Sequence, residues 1–134
     1  MDKIKVVSIT LTRAEGPVDE CDKPVTVRTY AEADSCLRRW SRTAPEGGGY
    51  DKIDFVVTYA DGNTYQARYD LIRDDDRYGN LITGHMADFL AFYSGDRYPG
   101  HMTRERYQEF LSSQWGAGII ATAKDFLERY ALAD

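Results

Sequence analysis

With 134 residues and 43% hydrophobic content, the chain has the length of one domain and enough apolar side chains for a packed core without a metal or disulfide staple. Its formal net charge of -5 argues against sequence-independent binding of nucleic acid, which needs Lys and Arg concentrated on one face. No apolar run approaches the roughly 20 residues of a membrane span, and no basic-then-apolar leader opens the sequence, so the expectation is a cytoplasmic protein with no membrane partner.

Residues 3–12, KIKVVSITLT, have the composition of a first strand, but its phase changes: Ile4 and Val6 alternate, then Val7, Ile9 and Leu11 do. A bulge near Val6-Val7 accounts for that, as does a strand buried on both faces. The segment from Arg13 to Lys23 has acids, Gly16, Pro17 and no period, which predicts a loop. It holds Cys21; with Cys36 it makes two thiols in a leaderless chain, expected reduced, with a disulfide as the alternative. Pro24 to Val27 predicts a short edge strand, Pro being tolerated at its first position.

Thr29-Tyr30-Ala31-Glu32 matches a capping box, in which hydroxyl and carboxylate satisfy free backbone N–H groups at a helix start. Ala33, Cys36, Leu37 and Trp40 then recur on one helical face, expected to be core, until Pro45 and the glycines from Gly47 end the element. In the stretch GGGYDKIDFVVTYADGNTYQARYDL, residues 47–71, apolar side chains alternate through Ile53, Phe55, Val57 and Tyr59, then through Tyr65, Ala67, Tyr69 and Leu71. A two-residue loop at Asp61-Gly62 would set Val57 against Gln66. A three-residue loop, Ala60-Asp61-Gly62 with Gly62 left-handed, puts both apolar sets on one face. It predicts Val57 opposite Tyr65, Phe55 opposite Ala67 and Ile53 opposite Tyr69, with Asp54 against Arg68 and Thr58 against Thr64 on the other face.

Asn80 is the expected cap of a helix through Leu81, Ile82, His85, Met86, Phe89 and Tyr93, ended by Gly95. Thr103 caps the next helix, and Trp115 to Leu132 carries Ile119, Ala123, Phe126 and Tyr130 on one stripe. The result is a single α+β domain over residues 1–134. It has a small antiparallel sheet with a central β-hairpin, one helix inserted early and helices grouped at the C-terminus. Strand order is left open.

No motif of a known active site is present: no nucleophile elbow, phosphate loop or dinucleotide fingerprint, and no spacing of His or Cys that holds a metal. Gly47-Gly48-Gly49 leads into a strand, whereas phosphate cradles lead into a helix. Asp51, Asp54 and Asp70 gather at the hairpin, but Arg68 and Lys52 beside them point to surface ion pairs. An enzyme would have to assemble its site from His101, Asp70 and Arg68. No catalytic residue, metal ligand or cofactor is therefore assigned.

Two surfaces qualify for binding instead. Asp74-Asp75-Asp76, flanked by Arg73 and Arg77, is either a solvated loop or an anionic patch that occupies a partner's basic groove. Ten tyrosines exceed what a core of this size needs; most are expected at the boundary of sheet and helix, where an amphipathic ring fits. Tyr78 and Tyr98 are different. Each follows an arginine, Arg77 and Arg97, in a connector with Gly79 or Pro99, where recognition surfaces concentrate.

The sequence GGGYDKIDF, the Asp61-Gly62 turn, Tyr65 with Arg68-Tyr69-Asp70-Leu71, then Phe92-Tyr93-Ser94-Gly95 and Pro99 through His101-Met102-Thr103 to Tyr107 resemble the large polyvalent protein-associated domains of plasmids, integrative elements and phages. These features cover residues 47 to about 130 and are structural in kind, so the resemblance transfers no catalytic residue. It implies an accessory protein of a mobile element whose neighbours handle conjugation, replication, defence or counter-defence. The expectation is a non-enzymatic binding protein, in its sharpest form a counter-defence inhibitor, whose partner is a protein or a nucleic-acid-handling complex. An oligomeric adaptor module is the alternative.

Overall fold

A computed structural model describes residues 2–15, 23–44, 51–75, 81–93 and 103–134. Strands β1 (Val6–Glu15), β2 (Val25–Val27), β3 (Asp51–Tyr59) and β4 (Thr64–Leu71) form one antiparallel sheet in the order β2-β1-β3-β4. Helices α1 (Tyr30–Ser41), α2 (Leu81–Tyr93), α3 (Arg104–Ser112) and α4 (Gln114–Arg129) complete an α+β fold.

The hairpin has the register its alternation demands. Ile53 faces Tyr69, Asp54 faces Arg68, Phe55 faces Ala67, Val57 faces Tyr65 and Thr58 faces Thr64. Tyr59 N–H donates to Asn63 O and Gly62 N–H to Tyr59 O, both at 2.9 Å, with Gly62 at φ 88°. That closes the three-residue loop with a left-handed glycine.

The phase change in β1 is a bulge: Val6 faces Tyr59 and Ser8 faces Thr58, so Val7 is the extra residue. Val7 does not join Ile9 and Leu11 in the core as the alternation suggested; it is 48% exposed. The strand also runs further than expected. Arg13, assigned to a loop, lies in β1 opposite Ile53 and is fully buried.

One face of the sheet offers Ile9, Leu11, Ile53, Phe55, Val57, Tyr59, Tyr69 and Leu71, and on it pack Ala33, Leu37 and Trp40 of α1 with Leu81, Ile82 and Met86 of α2. Thr29 caps α1, its hydroxyl accepting from Glu32 N–H at 3.1 Å. Asp134 takes the Tyr30 and Ala31 N–H groups at 2.7 and 2.8 Å. Cys36 is a buried thiol whose sulfur accepts from Arg39 at 3.7 Å; Cys21 lies outside the described residues.

The buried residues of α2 are Leu81, Ile82, Thr83, Met86 and Leu90, whereas Phe89 is 43% exposed. Its expected cap, Asn80, lies outside the described residues, and Ile82 N–H instead donates to the Asp34 carboxylate of α1 at 3.1 Å. Thr103 caps α3 and Ser113 caps α4, accepting from Arg106 N–H and Gly116 N–H at 3.2 and 2.8 Å. Gly116 is obligatory at that elbow, because a Cβ there would lie 1.7 Å from Phe110 O. The last helix ends at Arg129 rather than Leu132. Ile4 N–H donates to Arg129 O at 2.7 Å and Ala131 N–H to Ile4 O at 2.9 Å, so the chain's end returns beside its first strand.

Candidate functional site

Buried polar chemistry concentrates where β1 and β3 meet the end of α1. The Arg13 guanidinium donates to Asp51 from Nε at 2.9 Å and from Nη2, and Nη2 also donates to Trp40 O at 3.2 Å and Thr43 Oγ1 at 2.9 Å. Both charged side chains are fully buried, with the guanidinium 5.8 Å from the Trp40 ring centre. Asp51 is thus no surface carboxylate, as the hairpin's charges suggested; it neutralises a core arginine. The helix end supplies a carbonyl to the same cation, and no room is left for a substrate. This is a clamp of strand to helix.

At the hairpin's turn the polar groups are likewise committed to the fold. Tyr130 Oη donates to Asp61 at 2.6 Å and accepts from Asn63 Nδ2 at 2.7 Å. The Tyr130 hydroxyl, ahead of the Asn63 and Arg129 contributions, holds the Asp61 carboxyl below its ordinary range. Tyr30 and Tyr59 share a hydrogen bond at 2.9 Å, and burial raises both phenols, so they stay neutral hydroxyls. Tyr30, Tyr59, Tyr69, Tyr107 and Tyr130 are all buried, which is the boundary packing expected of most tyrosines here.

The residues singled out in the sequence divide. Tyr78, Tyr98, Arg77, Arg97, Asp76 and His101 lie outside the described residues. Asp74 is exposed, with φ 51° and its N–H donating to Ser41 O at 3.0 Å. Asp75 is not part of a solvated acidic patch: it is 4% exposed and accepts from Tyr69 Oη at 2.9 Å. A buried carboxylate under a core tyrosine braces the connector and presents no charge to a partner. Arg68 and Asp70 stand on the sheet's polar face in ion pairs with Asp54 (2.7 Å) and Lys52 (2.5 Å) of β3, as the surface pairing predicted. The Arg68 hydrogen bond is the main cause that holds the Asp54 carboxyl below its usual range. His85 is half-buried among rings, its centre 5.2 Å from that of Tyr69, 5.8 Å from Phe89 and 5.9 Å from Phe55. Among the described residues no three His, Cys, Asp or Glu side chains gather to hold a metal ion, and no helix is long and apolar enough to cross a membrane.

What the sequence did not reveal is a groove of about 760 Å³ between β4, α2 and α4. Its apolar walls are Tyr65 of β4, Phe89, Leu90 and Tyr93 of α2, and Ile119, Ala123 and Phe126 of α4; Thr64, Gln66, Gln114 and Thr122 supply polar atoms. Among the described residues no lining side chain carries a charge, in a chain whose charged fraction is 29%. Two local features hold it open. Gly118 has no side chain, and a Cβ built there meets nothing within 4 Å. The rings of Tyr65 and Phe126, centred 5.3 Å apart, wall one side, while Phe89 and Tyr93, 4.8 Å apart, stand on the other. Burial first, then neighbouring phenols, pushes Tyr65 up to about 12, so its hydroxyl is a neutral donor and acceptor. The signal that would have found this site was the α4 stripe of Ile119, Ala123 and Phe126 with Gly118 inside the helix; it matches core packing and groove lining equally.

Among the described residues, this surface offers apolar area and neutral hydrogen-bonding groups, the make-up of a binding site for an apolar or uncharged ligand. No protein-family profile, curated protein or solved structure matches the chain.

Proposed function

We propose that this chain is a non-enzymatic binding protein of a bacterial mobile element, working in the cytoplasm by docking its uncharged groove on a protein partner. The groove supports this reading. An apolar surface of this size, flanked by amides and hydroxyls and open to solvent, has the make-up of an interface core, from which charged residues are depleted and where aromatic rings are enriched. The mobile-element setting rests on the resemblance of residues 47 to about 130 to the large polyvalent protein-associated domains, and within that setting inhibition of a host defence complex is the sharpest form. Arg68 and Asp70, the residues an enzyme would draw on, are engaged in ion pairs on the sheet's polar face.

Affinity capture from the native host, read by mass spectrometry, is the test. A partner recovered with the wild-type chain should be lost with Thr122→Arg, which sets a charge in the groove at an exposed helix position and leaves the core untouched. Equal recovery by both chains would place the working surface elsewhere.

A further inference from the structure

The groove does not end at side chains; it runs along the free edge of the sheet. Among the described residues β4 is an outer strand, paired only with β3. Tyr59 and Asn63 form a hydrogen-bonded pair, and Tyr65 lies opposite Val57 two residues on. An antiparallel ladder alternates, so the odd residues of β4 bond to β3 while Thr64 and Gln66 turn N–H and C=O outward. Both are exposed and both line the groove.

We propose that an extended segment of a partner protein adds to β4 as a fifth strand beside Thr64–Ala67 and lays uncharged, apolar side chains into the groove. The inference rests on the docking role given to the groove above and adds the mode of recognition. Exposed edges in natural sheets are blunted by charge, proline, a bulge or a covering element. The stretch Thr64-Tyr65-Gln66-Ala67 has no charge, proline or bulge, and beyond it come Arg68 and Asp70, tied to β3. The unguarded part of the edge therefore coincides with the part that borders apolar lining. Main-chain bonds to Thr64 and Gln66 would give such a segment its register, and the absence of charge in the groove would select its side chains.

A second copy of this chain is the poorer occupant. In phase with the outward groups of Thr64 and Gln66, two β4 strands pair even residue with even, and the groove-side residues of the added strand, Tyr65 and Ala67, already pack against that copy's own core, so a second copy brings no free apolar side chain to the groove.

The test pans a phage-displayed random-peptide library on the whole chain and measures synthetic copies of the enriched peptides by fluorescence anisotropy. Gln66→Pro deletes an outward N–H, at an edge position where proline is tolerated, and should weaken binding tenfold or more; Gln66→Ala keeps that N–H and should stay within about threefold. An N-methyl scan of the peptide needs no variant to fold and should abolish binding at alternate residues only. Thr122→Arg should weaken binding as well.

Loss with Thr122→Arg but indifference to both Gln66→Pro and N-methylation would overturn strand addition and leave the docking role standing. Indifference to all three would remove the docking role too. No peptide enriched over a mock selection would overturn the proposal, as would a dimer by light scattering that Gln66→Pro dissolves, since the occupant would then be a second copy.

Discussion

The two flanks of the sheet are built on opposite terms. Over the β1 side, the 12-residue helix α1 buries seven residues, among them Ala33, Leu37 and Trp40. The buried Arg13–Asp51 pair ties its C-terminal end to two strands. Over the β4 side, the 16-residue helix α4 buries Gly116 and Ala123 and leaves Ile119 and Phe126 facing a groove. Stability and recognition make opposite demands on apolar side chains, one needing them covered and the other needing them accessible, and the proposed docking role assigns those demands to different helices.

The largest effects should come from the closed flank. Arg13→Met leaves the Asp51 carboxylate buried without its guanidinium and should cost about 3–5 kcal/mol in chemical denaturation. Arg13→Met with Asp51→Leu should recover most of that, since the cost lies in the stranded charge. Recovery absent from the double variant would show that the pair specifies the strand-to-helix geometry and is not merely tolerated.

Leu37→Ala, at a fully buried position, should cost about 2–5 kcal/mol, whereas Ile119→Ala should cost less than about 1 kcal/mol. Equal losses would erase the contrast between α1 and α4. Smaller than the Leu37 loss is the effect expected at the turn between β3 and β4. Gly62→Val should cost about 1 kcal/mol or more from backbone strain alone, because its Cβ meets no neighbour within 4 Å, and Ala60→Val should cost less.

The smallest effect concerns the polar face. Asp54 has its carboxyl held below the ordinary value by Arg68, so its stabilisation is present above the unfolded carboxylate's pKa and lost as pH falls through the lower folded one. With both partners about half exposed, Arg68→Gln should cost about 0.2–1 kcal/mol at neutral pH, less in high salt, and nothing at the acid end. A loss that persisted at low pH would mean Arg68 works through packing.

The hairpin and the caps were legible because their causes are local. Alternation with period two, a glycine that alone accepts a positive φ, and Thr29 three residues before Glu32 each act within a few residues. The bulge at Val7 showed as a break in phase, although the break alone did not tell which residue was extra. Arg13 hid the end of β1, because a cation in an acidic stretch has the signature of loop, and only its distant partners Asp51 and Trp40 make burial affordable. The same holds for Asp75, which sits in a run of acids yet lies under Tyr69. The groove was illegible for a related reason: Tyr65, Leu90 and Ile119 come from three elements, and the gap between them is a property of how α4 is seated and not of any one pattern.

One measurement bears on the central claim directly. A photoreactive phenylalanine analogue placed at Ile119, in the groove, or at Val7, exposed at the bulge of β1, reports which surface a partner covers in the living host. The account predicts a discrete cross-linked adduct from position 119 and none from position 7. An adduct from position 7 with none from 119 would contradict it.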